Sequence, residues 1–158
     1  MFSIEEIIDL AIQIEENGEK GYRKAIEVVS NPSLSSLLHW LADEEAKHAQ
    51  RFNELRKVAN SSPVDPQLEE LGKNILRSVV GEQSFSLDEA DFSRIDTVKD
   101  LLRLAIEFEK DTILFYDMIQ TFVQDQETLD QLKEIIEEET RHIGLLEEYL
   151  EGRYTGAL

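Results

Sequence analysis

Apolar residues recur along four long segments of this chain at steps of three and four, the spacing that places side chains on one face of an α-helix. Glycine and proline are sparse, and no segment alternates apolar and polar residues as a half-buried strand would. The pattern therefore predicts an all-α protein. The predicted helices cover approximately residues 3–30, 33–58, 97–123 and 126–151.

The residues at the predicted helix starts are favourable there. Ser3 and Thr97 have side-chain oxygens that can accept hydrogen bonds from the free backbone amides at the start of the first and third helices. Asp125 has the same property before the fourth helix. Pro32 suits the first turn of the second helix, where its missing N–H has no partner to lose.

A long segment, residues 59–96, separates the second helix from the third. It begins with the helix-breaking run ANSSPVDP and is predicted to contain one short amphipathic helix, with the apolar residues Leu68, Leu71, Ile75 and Val79. We therefore expect a single domain over residues 1–158. Its fold would be a four-helix bundle of two helical hairpins joined by this crossover.

In each helix, the apolar row that should face the bundle interior is interrupted by residues that can bind a metal ion. The first and third helices each have one glutamate in the row, and the second and fourth each have a Glu-x-x-His pair. Unpaired buried charges are strongly unfavourable, and divalent cations are the simplest compensation for four carboxylates. The six candidate ligands are Glu15, Glu45, His48, Glu109, Glu139 and His142.

The six candidate ligands divide into two equivalent halves. Residues three apart lie on the same helix face, so each Glu-x-x-His pair can hold one metal ion from its own helix. The other two carboxylates, Glu15 and Glu109, are expected to bridge the ions. A spacing of 30 residues separates Glu15 from Glu45 and also Glu109 from Glu139, and the whole pattern repeats at an offset of 94 residues.

Several residues close to these rows are expected to support the site or to lie outside it, and not to bind a metal ion. Tyr22 and Tyr116 each follow their helix's glutamate by seven residues, and either donate hydrogen bonds to the bridging carboxylates or pack in the core. His39 is expected to have a surface or packing role. The acidic residues just outside the row are expected to be solvated or to orient the ligands; these are Glu16, Glu44, Glu137 and Glu138.

The composition narrows the possible chemistry and partners. Cysteine is absent, which excludes disulfides, thiolate-bound zinc and a cysteine-held iron–sulfur cluster. The net charge of −18 opposes binding to nucleic-acid phosphates and to anionic membrane surfaces. No apolar run is long enough to cross a bilayer, and the N-terminus lacks a signal-peptide pattern, so we expect a cytoplasmic protein.

Taken together, the ligand pattern resembles the ferritin-like di-iron carboxylate superfamily. The segments LADEEAKHAQRF and IEEETRHIGLLEEY look like the second and fourth helices of a rubrerythrin-like member that lacks the rubredoxin domain. The resemblance implies two iron ions, with manganese or zinc as alternatives. It also implies reduction of hydrogen peroxide or dioxygen in the oxidative-stress response, an external electron donor, and a homodimer.

The sequence departs from the rubrerythrin pattern at Thr112, where members of that family commonly have an additional glutamate. A mechanism that depends on a mobile ligand at this position is therefore not expected. Thr112 and Gly18 are instead expected to leave room for a small oxidant. Two other functions stay open: a ferroxidase or iron-storage module, and a helical adaptor in which the metal, for example zinc, is structural.

Overall fold

The computed structural model describes residues 4–59, 98–121 and 123–156 of the chain. Within these ranges there are four helices and no strand, which confirms the predicted all-α bundle. Each helix lies close to its predicted range. In chain order the helices are α1 (Ile4–Val28), α2 (Pro32–Ala59), α3 (Val98–Gln120) and α4 (Gln126–Leu150).

Several predictions concern residues that lie outside these ranges. They are the helix caps at Ser3 and Thr97, and the short helix within the crossover. These stay predictions from the sequence.

Two helix starts have the hydrogen bonds expected of a cap. The Asp125 side chain accepts a hydrogen bond from the Thr128 backbone N–H at 2.8 Å, as predicted. At the start of α2, the Asn31 side-chain oxygen accepts from the backbone N–H groups of Ser33 at 2.9 Å and Leu34 at 3.2 Å. Asn31 therefore caps α2, because its side chain satisfies two backbone donors that have no partner within the helix.

The helices pack as two hairpins, α1 with α2 and α3 with α4. The hairpins meet where α1 lies against α3 and where α2 lies against α4. Apolar residues of each inward row fill the core on both sides of the polar layer; in α2, for example, Leu38 and Leu41 precede that layer and Phe52 follows it, all buried. Burying one such side chain contributes about 1.5–3 kcal/mol, so the apolar layers can support a polar layer between them.

Charged residues cover the outer faces of the bundle. Arg23 pairs with Asp43 at 3.1 Å and Arg56 pairs with Asp9 at 3.1 Å, and both pairs join α1 to α2. Exposed pairs of this kind contribute little stability, so the hairpins depend mainly on their apolar faces. Across the described residues, no helix combines the length and apolar character needed to cross a membrane.

Candidate metal centre

All six predicted ligands lie in the bundle interior at one level. Each helix supplies at least one of them, because the inward row of each helix is interrupted at its middle. Each side chain is no more than 1% exposed. The six are Glu15 from α1, Glu45 and His48 from α2, Glu109 from α3, and Glu139 and His142 from α4.

The donor atoms of these side chains form two overlapping groups. Within each group, one donor atom from each residue lies within 4.8 Å of the others, close enough for a single metal ion to contact all four. The first group consists of Glu15, Glu45, His48 and Glu139. The second group consists of Glu45, Glu109, Glu139 and His142.

The two groups share Glu45 and Glu139, which does not support the expected bridging by Glu15 and Glu109. The reason is the placement of the helices: α2 lies against α4, so the carboxylate of each helix is within reach of the histidine of the other. His48 Nδ1 is 3.0 Å from Glu139 Oε1, and His142 Nδ1 is 3.4 Å from Glu45 Oε1. The geometry therefore places Glu45 and Glu139 between the two positions, and Glu15 and Glu109 at the ends.

The two tyrosines connect the hairpins through hydrogen bonds. Tyr22 of α1 donates to Glu109 Oε1 of α3, and Tyr116 of α3 donates to Glu15 Oε1 of α1. Of the two predicted roles, the hydrogen-bonding role is the one observed. Burial, reinforced by the nearby carboxylates, raises the pKa of each phenol well above its ordinary value, so both stay protonated donors.

The buried carboxylates have different proton affinities. Burial, together with the neighbouring carboxylates, raises the pKa of Glu45 well above its ordinary value. Burial and the charge of Glu139 raise the pKa of Glu109 to about 8. Burial also opposes ionisation of Glu139, but the adjacent imidazoles of His142 and His48 outweigh it and hold the Glu139 pKa below its ordinary value.

The two histidines of the site have a raised affinity for protons. Burial lowers their proton affinity, but the surrounding carboxylates favour the protonated imidazolium and outweigh it. The pKa of His48 rises to about 12 and that of His142 to about 10. Without a metal ion, imidazolium protons supply the positive charge that this acidic layer requires.

The donor set fits two divalent cations. Among the described residues, seven buried polar atoms have no hydrogen-bond partner, and a buried donor or acceptor left in this state costs about 1–3 kcal/mol. Cations bound among them would satisfy the carboxylate oxygens and the Nδ1 atom of His142 directly. Mixed carboxylate and imidazole ligation suits iron, manganese or zinc. The unpaired atoms are Glu15 Oε2, both Glu45 oxygens, Glu109 Oε2, Glu139 Oε2 and both His142 ring nitrogens.

The acidic residues outside the rows have separate environments. Glu16 and Glu137 are exposed, as is His39, and Glu44 pairs with Lys47 at 2.6 Å. Glu138 is different, because its carboxylate lies 2.8 Å from His48 Nε2.

Two residues in contact with the site were not anticipated from the sequence. Arg51 donates a hydrogen bond from Nη1 to Glu138 Oε2 at 2.8 Å, and the Trp40 ring meets the His142 ring in a T-shaped contact at 5.3 Å between centroids. Arg51 lies three residues after His48 on the same helix, a spacing that could have placed it beside the site.

The positions beside the end carboxylates are filled. Thr112 is buried, and its hydroxyl donates to the Phe108 carbonyl oxygen at 2.9 Å. A Cβ atom at Gly18 would lie 2.8 Å from Glu45 Oε2 and 3.0 Å from the Phe108 ring. The expected space for a small oxidant is therefore not present beside Gly18, where glycine instead allows the Glu45 carboxylate to approach the helix.

We expect Gly18→Ala to weaken metal binding by about tenfold or more, because the new methyl group displaces Glu45, which both metal positions share. Alanine ordinarily stabilises a helix relative to glycine by about 1 kcal/mol, and the steric conflict should remove most of this gain. Metal titration and thermal unfolding measure the two effects.

Gly144→Ala is the matched control. Gly144 lies in α4, and a Cβ atom there would meet no atom of the described residues within 4 Å. It should stabilise the helix and leave metal affinity unchanged. Equal behaviour of the two variants would contradict the steric role of Gly18.

Comparisons with known proteins agree with this geometry. The chain is similar to a protein from Thermotoga maritima described as a ferritin-like diiron-carboxylate protein, whose crystal structure superposes with a TM-score of 0.68. The sequences are 25% identical, and the match covers 95% of each chain. No curated protein sequence is similar enough to match this chain. The rubrerythrin family model matches residues 6–150, and the chain belongs to the rubrerythrin family.

Proposed function

We propose that this protein is a di-iron oxidoreductase that reduces hydrogen peroxide or dioxygen with electrons from an external donor. The observation that carries the proposal is the pair of overlapping donor groups, each with four buried residues and two of them shared. Two metal ions held this close could act on a single small substrate.

The bound ions would supply redox chemistry: two ferrous ions provide the two electrons that, with two protons, convert one hydrogen peroxide into two waters. The contribution of the chain is to hold the ligands. Glu45 and Glu139 would be shared between the ions, with Glu15 and His48 completing one position and Glu109 and His142 the other. Four protein donors at each position leave further coordination sites for a substrate on metals that accept five or six ligands.

Hydrogen bonds from the tyrosines would orient the end carboxylates. Tyr22 holds one oxygen of Glu109 and Tyr116 holds one oxygen of Glu15, which leaves the second oxygen of each carboxylate free for a metal ion. Because both phenols reach across the hairpin interface, they also fix the separation of the two end ligands. This arrangement favours a rigid site.

The electrons that restore the ferrous state would come from another molecule. A rubredoxin-type electron-transfer centre requires four cysteines, and these 158 residues contain none. We therefore propose a separate protein or small reductant as the donor.

The proposal is tested by loading the protein anaerobically with ferrous iron, adding hydrogen peroxide, and following the near-ultraviolet absorption of ferric iron. About two irons per chain should bind, following the di-metal carboxylate pattern. One equivalent of peroxide should oxidise both irons, and an added reductant should restore the starting spectrum over repeated cycles. Zinc-loaded protein, which has no accessible redox change, is the control.

Other outcomes would identify the alternative functions. Oxidation of added ferrous iron with retention of ferric iron, and no turnover with a reductant, would instead support an iron-storage role. A protein that binds zinc tightly and shows no reaction when loaded with iron would support a structural metal site.

A further inference from the structure

The two histidines of the candidate site occupy equivalent positions in the internal repeat but have different surroundings. His48 and His142 are related by the offset of 94 residues, and their rings lie nearly parallel with 5.6 Å between centroids. Each has its Nδ1 atom towards the carboxylates of the site. The difference lies at the other ring nitrogen, Nε2.

On the His48 side, Nε2 has a carboxylate partner. Glu138 Oε2 lies 2.8 Å from it, and the same oxygen accepts a hydrogen bond from Arg51 Nη1 at 2.8 Å. Arg51 is held in turn by Gln131 at 3.0 Å and Glu134 at 3.0 Å, both on α4. The His48 ring is therefore held at Nε2, the nitrogen away from the site, by a connected set of polar side chains that joins α2 to α4.

On the His142 side, Nε2 has no hydrogen-bond partner among the described residues, and the Trp40 ring packs against the imidazole instead. In the repeat, Glu44 occupies the position equivalent to Glu138, but its carboxylate pairs with Lys47. The position equivalent to Arg51 is Leu145, which has no group to hold a carboxylate. The His142 ring is thus in contact with an aromatic side chain, and its Nε2 atom has no acceptor among the described residues.

This difference affects metal ligation through the imidazole tautomer. A neutral imidazole that binds a metal ion through Nδ1 must have its proton on Nε2. An acceptor at Nε2 selects that tautomer, fixes the ring plane and makes Nδ1 a stronger donor. Glu138 provides this acceptor for His48, and none of the described residues does so for His142.

We propose that Glu138, supported by Arg51, is a positioning residue that makes the two metal positions unequal, so that the position beside His48 fills first and holds its ion more tightly. The inference rests on the proposed di-metal site and adds an order of binding to it. It assigns the weaker, more exchangeable ion to the position beside His142.

Anaerobic titration with Co(II), followed by its visible absorption and by calorimetry, tests the proposal without any enzymatic turnover. The wild-type protein should bind two ions in two resolved steps. Glu138→Ala should weaken the first step by about 10- to 100-fold, the usual effect of removing a carboxylate that supports a ligating histidine. Glu138→Gln keeps an acceptor oxygen without the charge, so it should show a smaller loss.

Glu44→Ala is the matched control, because it removes the repeat-equivalent carboxylate, which pairs with Lys47 rather than with His142. Both binding steps should be unchanged in this variant. Circular dichroism of the three variants checks that each retains its helices.

Nuclear magnetic resonance of the zinc-loaded protein gives a second readout, which reports on the His48 ring itself. With three histidines in the chain, the imidazole signals can be assigned individually. The His48 Nε2–H proton should exchange slowly with solvent in the wild type and in Glu44→Ala, and rapidly in Glu138→Ala.

The outcomes separate this inference from the proposed function. If both steps are unchanged in Glu138→Ala, or if Glu44→Ala weakens them equally, the positioning role is wrong although two metals still bind. If the wild type binds no Co(II), the di-metal site is wrong as well. Two unequal steps in a protein that does not reduce peroxide would support the inference and contradict only the proposed reaction.

Discussion

Replacing Glu45 and Glu139 together by alanine should abolish metal binding. These carboxylates belong to both donor groups, so their loss leaves each position with only one carboxylate and one histidine. Two protein donors are too few to hold a divalent ion against water in a site of this kind. Metal per chain, measured by elemental analysis after gel filtration, should fall from about two to about zero.

Two further measurements make this result specific. The combined change Glu44→Ala and Glu137→Ala removes acidic residues adjacent to the same rows and should leave metal content unchanged. Glu15→Ala should reduce binding to about one ion per chain, since Glu15 belongs to a single donor group. Full metal binding in the Glu45 and Glu139 double variant would show that the ions, if present, lie elsewhere.

The second large effect concerns Glu45→Leu, whose stability relative to the wild type should reverse when metal is added. Glu45→Leu should stabilise the metal-free protein by about 1–3 kcal/mol, because both Glu45 oxygens are buried without hydrogen-bond partners and leucine has a similar size. With metal at about a thousand times its Kd, the free energy of unfolding of the wild type should rise by about 4 kcal/mol. The variant, which lacks a shared ligand, should gain less. The variant should therefore be more stable with chelator and less stable with metal.

Urea unfolding with EDTA and with excess Mn(II) measures both states. Glu137→Leu is the control, since Glu137 is exposed on α4 and should have little effect in either condition. If Glu45→Leu destabilised the metal-free protein by about 2–5 kcal/mol, as the truncation of a core residue does, Glu45 would have a structural role that the unpaired oxygens do not indicate.

The reversal has a functional meaning. A layer of four carboxylates and two histidines lowers the stability of the metal-free bundle, and the apolar layers around it compensate for the loss. Bound ions would remove this cost whether they take part in a redox reaction or only stabilise the bundle. The expected result therefore tests the metal site itself, and the peroxide experiment separates a redox centre from a helical adaptor with a structural metal.

The amino-acid sequence by itself determined which residues face the interior of the bundle. This follows from a local rule, because helix geometry places every third or fourth residue on one face wherever the helix lies in the fold. The interruption of the apolar row at Glu15, Glu45, Glu109 and Glu139 therefore follows from helical spacing alone. The caps at Asn31 and Asp125 are equally local, since each acts within one turn of its helix.

Only the tertiary structure decided which of these carboxylates are shared by the two metal positions and which belong to one of them. Which carboxylates are shared depends on which helices are neighbours and how far each is shifted along its axis, and spacing within one helix does not specify either. The sequence pattern therefore favoured Glu15 and Glu109 as bridges, whereas the packing of α2 against α4 places Glu45 and Glu139 in both donor groups.

The same holds for the contacts around the ligands. The tyrosine hydrogen bonds cross from one hairpin to the other, and the link from Arg51 through Glu138 to His48 crosses from α2 to α4. Equivalent positions in the repeat, Glu44 and Glu138, have different partners because the residues facing them across the bundle differ. The repeat is a property of the sequence, whereas the asymmetry of the site arises from side chains that meet only when the helices pack.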